Sequence, residues 1–113
     1  MLEILYYPEG NRGPVRDYLT ELAKERPKAF ARLALDLEVL GAEGLRSQQI
    51  ALRPLGDRLW ELKRRYDDIQ YRIFFGVHKG AAWLVHNIEK KSAKTPKDDL
   101  EVARKRLREV MAR

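Results

Sequence analysis

From Leu59 to Ile88 apolar side chains recur at every second position in three consecutive runs, and a period of two is the period of strands. Leu59 to Lys63 puts Trp60 and Leu62 on one face, with Leu59, Glu61 and Lys63 on the other. Ile69 to Val77 puts Ile69, Tyr71, Ile73, Phe75 and Val77 on a buried face, opposite Gln70, Arg72 and Phe74. His78-Lys79-Gly80 reads as a hairpin turn, and Ala81 to Ile88 returns as the last strand, where parity groups His86 with Leu84 and Ile88. A chain with this centre has to build on a sheet, and basic residues are threaded through that sheet.

The flanks read as follows. Leu2 to Tyr7 alternates and ends at Pro8, a first strand and turn. Pro14 opens a helix whose Val15, Tyr18, Leu19 and Leu22 share one face. Pro27 opens a second, with Phe30, Leu33, Ala34, Leu37 and Leu40 in register and Gly41 and Gly44 as its stop. These apolar stripes are core, not chemistry. Ile50 to Arg53 is a short strand stopped by Pro54, with a turn at Leu55-Gly56-Asp57. Thr95-Pro96-Lys97-Asp98 is a helix start with Thr95 as N-cap, and Leu100, Ala103, Leu107 and Val110 form its inner face, with Arg104, Lys105 and Arg108 outside. The order is β-α-α-β-β-β-β-α, or one strand fewer if the segment at Ile50 does not pair, an α+β class.

At 113 residues the chain is expected to be one domain, 1–113, with a single core. No apolar run approaches the roughly 20 residues that span a bilayer. The first residues lack a basic segment followed by an apolar one, so they are expected to be a strand rather than a signal peptide, and the protein cytoplasmic. Without cysteine there is no disulfide, thiolate-bound zinc or Cys nucleophile. Gly-rich phosphate loops, Gly-x-Ser-x-Gly elbows and His-Glu-x-x-His spacing are all missing, so metal-independent chemistry without a cofactor is the expectation.

Charge is unevenly spread. Residues 1–44 hold six Lys and Arg against eight Asp and Glu, whereas residues 45–113 hold seventeen against nine. The C-terminal part is therefore the electrostatic footprint for an anionic partner, for which a phosphate backbone is the usual candidate. Arg53, Arg58, Lys63, Arg65, Arg72, Lys90, Lys91 and Lys94 fall on strands or connecting loops, where they can converge around a phosphate. Arg72, inside the run YRIFF, is either paired with an acid (Glu61 or Asp67) or aimed at a ligand. Lys90, Lys91 and Lys94 are either a solvated loop or an anion site before a helix. His86 is a candidate acid or base, or a packed core histidine. Glu61 is a base or an ion-pair partner.

The succession LWELKRRYDDIQYRIFF, then WLVHNIEKKSAKTPKDDLEVARKRL, resembles the RelE/ParE toxin superfamily, and within it the phage-derived, HigB-like branch. The resemblance covers nearly the whole chain. It implies a RelE-like fold, with an N-terminal strand and a two-helix hairpin on an antiparallel sheet, and a C-terminal helix. It further implies the toxin of a type II toxin–antitoxin pair: an mRNA endonuclease, acting without metal and on ribosomes, or, in ParE types, an inhibitor of DNA gyrase; a third reading is a catalytically inactive nucleic-acid-binding protein. The implied partners are mRNA and a cognate antitoxin, often a helix-turn-helix protein. By position, Arg72 matches the strand arginine that contacts the scissile phosphate; Lys63, Arg65, Lys91 and Lys94 fall where RelE-type enzymes carry cations. An Arg72→Ala chain is accordingly expected to lose toxicity and keep its fold. No tyrosine follows Lys94, where RelE-type enzymes use one, and His86 and Glu61 are left as the candidates for proton transfer.

Overall fold

The computed structural model describes residues 1–90 and 95–113. Along the chain run β1 (Glu3–Tyr6), α1 (Pro14–Glu25), α2 (Pro27–Glu43), a 3-10 turn (Gly44–Arg46), β2 (Ala51–Gly56), β3 (Leu59–Tyr66), β4 (Ile69–His78), β5 (Ala81–Lys90) and α3 (Lys97–Met111). The strands form one sheet in the order β1-β5-β4-β3-β2. β1 runs parallel to β5 and the other neighbours are antiparallel. The α+β layout expected from the sequence is the one adopted.

Helices cover both faces of the sheet. The α1–α2 pair lays Val15, Leu19, Leu22, Leu33, Leu37 and Leu40 on Leu62, Tyr71, Ile73, Phe75 and Leu84. α3 lays Ala103, Leu107 and Val110 on Leu59, Phe74 and Val85 of the opposite face. Gly76 makes that second contact close, since a Cβ there would lie 2.4 Å from Leu107 Cδ1. The central strand β4 is consequently buried on both sides from Tyr71 to Gly76. A one-faced reading of its alternation misses this, because Phe74 and Arg72 belong to a second covered face. Each fully buried Leu, Ile or Phe here contributes roughly 1.5–3 kcal/mol.

Local departures from the sequence reading have local causes. Gly41 does not stop α2; it is a buried residue of the helix, where the missing side chain lets the Leu2 backbone approach and donate its N–H to the Gly41 carbonyl at 2.7 Å. The helix ends at Gly44, whose φ is 71°. Pro54 lies within β2 and does not end it, because β2 is an edge strand, where the N–H that proline lacks is not needed on the outer side. β3 and β5 extend to Tyr66 and Lys90. Arg104, read as lying outside, donates to the carbonyls of Leu55 and Gly56 at 2.6 and 2.9 Å and ties α3 to β2.

Both hairpins that flank β3 turn through two residues of positive φ: Asp57 and Arg58 at 53° and 67°, and Asp67 and Asp68 at the same values. Glycine is the usual second residue of such a turn. Asp68→Gly is therefore expected to stabilise the fold by about 1 kcal/mol, since its loss, an exposed 3.3 Å ion pair with Arg65, is worth little. A higher urea midpoint at unchanged m-value checks this.

Candidate nucleic-acid interface

Strand register decides which of the basic residues meet. Lys63 pairs with Arg72, and Arg72 in turn with Ile88. Arg65 pairs with Gln70, which pairs with Lys90. Arg53 stands opposite Glu61, and Glu61 opposite Phe74 and then His86. These three rows all project from the face that carries α3. α3 covers Phe74 and its neighbours and leaves the last rows open. There Lys63 and Arg65 are exposed, Lys90 is half-buried, and the Arg53 side chain is 55% exposed. Four cations from three strands thus share one end of one sheet face.

Beneath them lies a buried polar floor. Arg72 is 1% exposed and Glu61 2%, with 3.5 Å between guanidinium and carboxylate. Arg72 also donates to Thr95 Oγ1 at 2.7 Å and to Gln70 Oε1 at 2.8 Å. Thr95 completes the ring by donating to Glu61 at 3.2 Å, and Arg53 reaches the other Glu61 oxygen at 3.4 Å. Of the two roles open to Arg72, the structure holds the acid-paired one, and Glu61 is the acid. Glu61, 2% exposed, is likewise held as an ion-pair partner of Arg72 and Arg53. Thr95 does not cap α3: Pro96 holds the cap position with no side-chain bond, and the Thr95 hydroxyl is spent on the ring.

The grouping of His86 with Leu84 fails for a definite reason. Phe74 pairs with His86 while Phe75 pairs with Leu84, so Val85 is an extra residue, a bulge that breaks parity. Leu84 faces α1–α2, whereas Val85 and Ile88 pack with α3. His86 stacks on Phe74 with ring centroids 6.0 Å apart, and its Nε2 lies 2.8 Å from Asp99 Oδ1 in the first turn of α3. Acids are favoured there by the helix dipole. Asp99 was not legible as a partner, because the contact joins residues on separate elements.

Arg58 does not join the group. It sits in the β2–β3 turn at the other end of the strands, its guanidinium donating to the Val77 carbonyl at 3.3 Å. Lys91 and Lys94 lie outside the described residues. Among the described residues no cluster of three His, Cys, Asp or Glu side chains has the geometry to hold a metal. Among the described residues no helix is long and apolar enough to cross a membrane.

Two further polar sites lie on the α1–α2 face. Asp36, 3% exposed, takes two hydrogen bonds from Arg64 at 2.8 and 2.6 Å. Its signal was a charge on an apolar stripe, between Leu33 and Leu40. At the corner of α1 and α2, Arg26 lies 2.7 Å from Glu89 and donates to Tyr71 Oη at 2.9 Å, while the Tyr18 hydroxyl also donates to Glu89. Burial, then the bond to Glu89, pushes the Tyr18 pKa well above the ordinary tyrosine value, and burial raises Tyr71 as well. Unfolded tyrosines ionise near 10 while these stay protonated, so their contribution is whole below about pH 10 and is lost as pH climbs further. Urea midpoints at pH 9 and 11 are expected to show that fall, and Tyr18→Phe a shallower one.

The family model described as "Phage derived protein Gp49-like" matches residues 17–108, from α1 into α3. No curated protein and no solved structure matches the chain significantly. With most of its length matched, from the two-helix hairpin through the cationic sheet to the C-terminal helix, the chain belongs to the phage-derived Gp49-like family, which is related to the RelE-type toxins of toxin–antitoxin systems.

Proposed function

We propose that this protein is the toxin of a type II toxin–antitoxin pair and an endoribonuclease that cuts mRNA on the ribosome without a metal. The observation that carries the reading is the open end of the α3 face, where Lys63, Arg65, Lys90 and Arg53 stand over the Arg72–Glu61–Thr95 ring. Membership in a family related to RelE-type toxins supports it.

In the proposed reaction the ribose 2′-OH attacks the adjacent phosphorus, the P–O5′ bond breaks, and the products are a 2′,3′-cyclic phosphate and a 5′-OH. The 2′-OH proton leaves to a base and the 5′ oxygen gains one. Lys63 and Arg65 are the cations assigned to the scissile phosphate, and losing one such donor costs roughly 10²–10³ in rate. Lys90 and Arg53 hold flanking phosphates, joined by Lys91 and Lys94 from the segment after β5. Arg72 and Glu61, sealed from solvent, are positioning residues that fix β3 against β4. His86, oriented by Asp99, is the titratable group assigned to proton transfer. The ribosome supplies the substrate geometry. The antitoxin, a helix-turn-helix protein, would cover the cationic end.

The test is the lesion in cells expressing the chain. New 5′-hydroxyl ends in mRNA, intact DNA and rescue by the neighbouring antitoxin are expected. Broken DNA with intact mRNA would replace this reading with the gyrase poisoning of ParE types.

A further inference from the structure

On the α1–α2 side of the same sheet end lies an open cleft of about 700 Å³ that the proposed chemistry does not use. Its apolar walls are Tyr66, Ile69 and Tyr71, and its charged ones Arg26, Lys28 and Asp67. Arg32 adds a cation 5.7 Å from the centre of the Tyr66 ring, and Arg26 lies 5.5 Å from that of Tyr71. The acids are fewer: Asp67, at the hairpin turn, and Glu89, already engaged by Arg26 and Tyr18. An aromatic and aliphatic wall rimmed by Lys28 and Arg32, with Arg26 already paired with Glu89, suits a flat ring that carries a phosphate, with the ring against Tyr66 and Ile69 and the phosphate facing Lys28.

Position strengthens the case. Tyr66 and Ile69 are the pair that closes the β3–β4 hairpin, and Arg65 and Gln70 are the next pair inward. Alternation turns Tyr66 to the cleft and Arg65 to the cationic rows, so the two surfaces meet across the hairpin end. A strand held by Arg65 and Lys90 reaches the cleft by passing around Asp67-Asp68.

We infer that this cleft is a second RNA subsite, taking one nucleotide of the single strand whose neighbouring segment lies on the Lys63–Arg65–Lys90 face. The inference rests on the proposed RNA-cleaving function and adds to it a length requirement: short RNA fills only the cationic face, and longer RNA fills both.

Fluorescence anisotropy with labelled single-stranded RNA of four and of ten nucleotides tests it, using full-length chains. Lys28 is exposed, so Lys28→Glu is expected to fold normally. It should weaken the ten-nucleotide RNA about ten-fold, lower its log–log salt slope by about 0.7, and leave the four-nucleotide RNA unchanged. Tyr66→Ala should show the same length dependence, while Lys63→Glu should weaken both RNAs. If Lys28→Glu and Tyr66→Ala bind both RNAs like wild type while Lys63→Glu does not, the subsite is wrong and the proposed function survives. If Lys28→Glu binds RNA normally but loses affinity for an acidic peptide, the cleft belongs to a protein partner and the RNA assignment is overturned. If wild type binds neither free RNA, the subsite is overturned, while ribosome-dependent cleavage is decided separately by the 5′ ends formed on translating ribosomes.

Discussion

Arg72→Ala is expected to lower the unfolding free energy by about 3–5 kcal/mol, a large share of the whole for a domain of this size. Truncation removes a guanidinium from a site 1% exposed and strands the Glu61 carboxylate, itself 2% exposed. Thr95 and Gln70 lose their hydrogen-bond donor at the same time. Arg53, 3.4 Å from Glu61, remains as a counter-ion and places the loss at the lower end of the range. This stands against the expectation from sequence that the variant keeps its fold, and the urea series decides between them. Replacing both charges, as in Arg72→Met with Glu61→Met, is expected to recover part of the loss, because no buried charge is then orphaned, although the Thr95 hydroxyl and the Gln70 amide oxygen still lose their partners. Arg72→Lys should fall between, since an ammonium cannot reach Thr95, Gln70 and Glu61 with one fork. Urea denaturation of the four proteins checks the series. An Arg72→Ala chain within 1 kcal/mol of wild type would show that the ring does not hold β3, β4 and the start of α3 together. The practical consequence is that inactivity of Arg72→Ala alone says nothing about catalysis.

Charge reversal on the open rows gives the opposite signature. Lys63→Glu combined with Arg65→Glu is expected to reduce RNA cleavage by about 100-fold or more while stability moves by no more than about 0.5 kcal/mol. Both residues are exposed, and the one ion pair lost, Arg65 with Asp68, joins side chains 70% and 90% exposed. The reversed charges would repel the phosphate instead of neutralising it, so the loss should deepen as salt is lowered. Single-turnover cleavage at two salt concentrations, alongside a urea titration, measures both halves. Cleavage within ten-fold of wild type from the folded double variant would move the site off these strands.

Much of this architecture was legible, for reasons that also mark where legibility stopped. Period two in Ile69–Val77 and period 3.6 in α1 and α2 report which residues are buried, and those elements stand where the periods put them. Periodicity does not report how many faces are covered. Phe74 and Arg72 read as an outer face until α3 closes on them. Nor does it survive an inserted residue: Val85 shifts the parity of β5 and separates His86 from Leu84. At the site, the sequence named the cations, and register brought Arg53, Lys63, Arg65 and Lys90 to one face. It did not separate the charge used inside, Arg72, from those left outside, because that depends on where Thr95 and α3 lie. Arg58 is grouped in the sequence reading because it falls on a loop between strands, and the strand direction carries that loop to the far end.

The most direct measurement is a 5′-end map of a defined mRNA incubated with the purified protein, with and without translating ribosomes. New 5′-hydroxyl ends at discrete positions are expected when ribosomes are present, and they should disappear with the Lys63→Glu, Arg65→Glu protein. Intact mRNA under both conditions, from protein shown to be folded, would contradict ribosome-dependent cleavage.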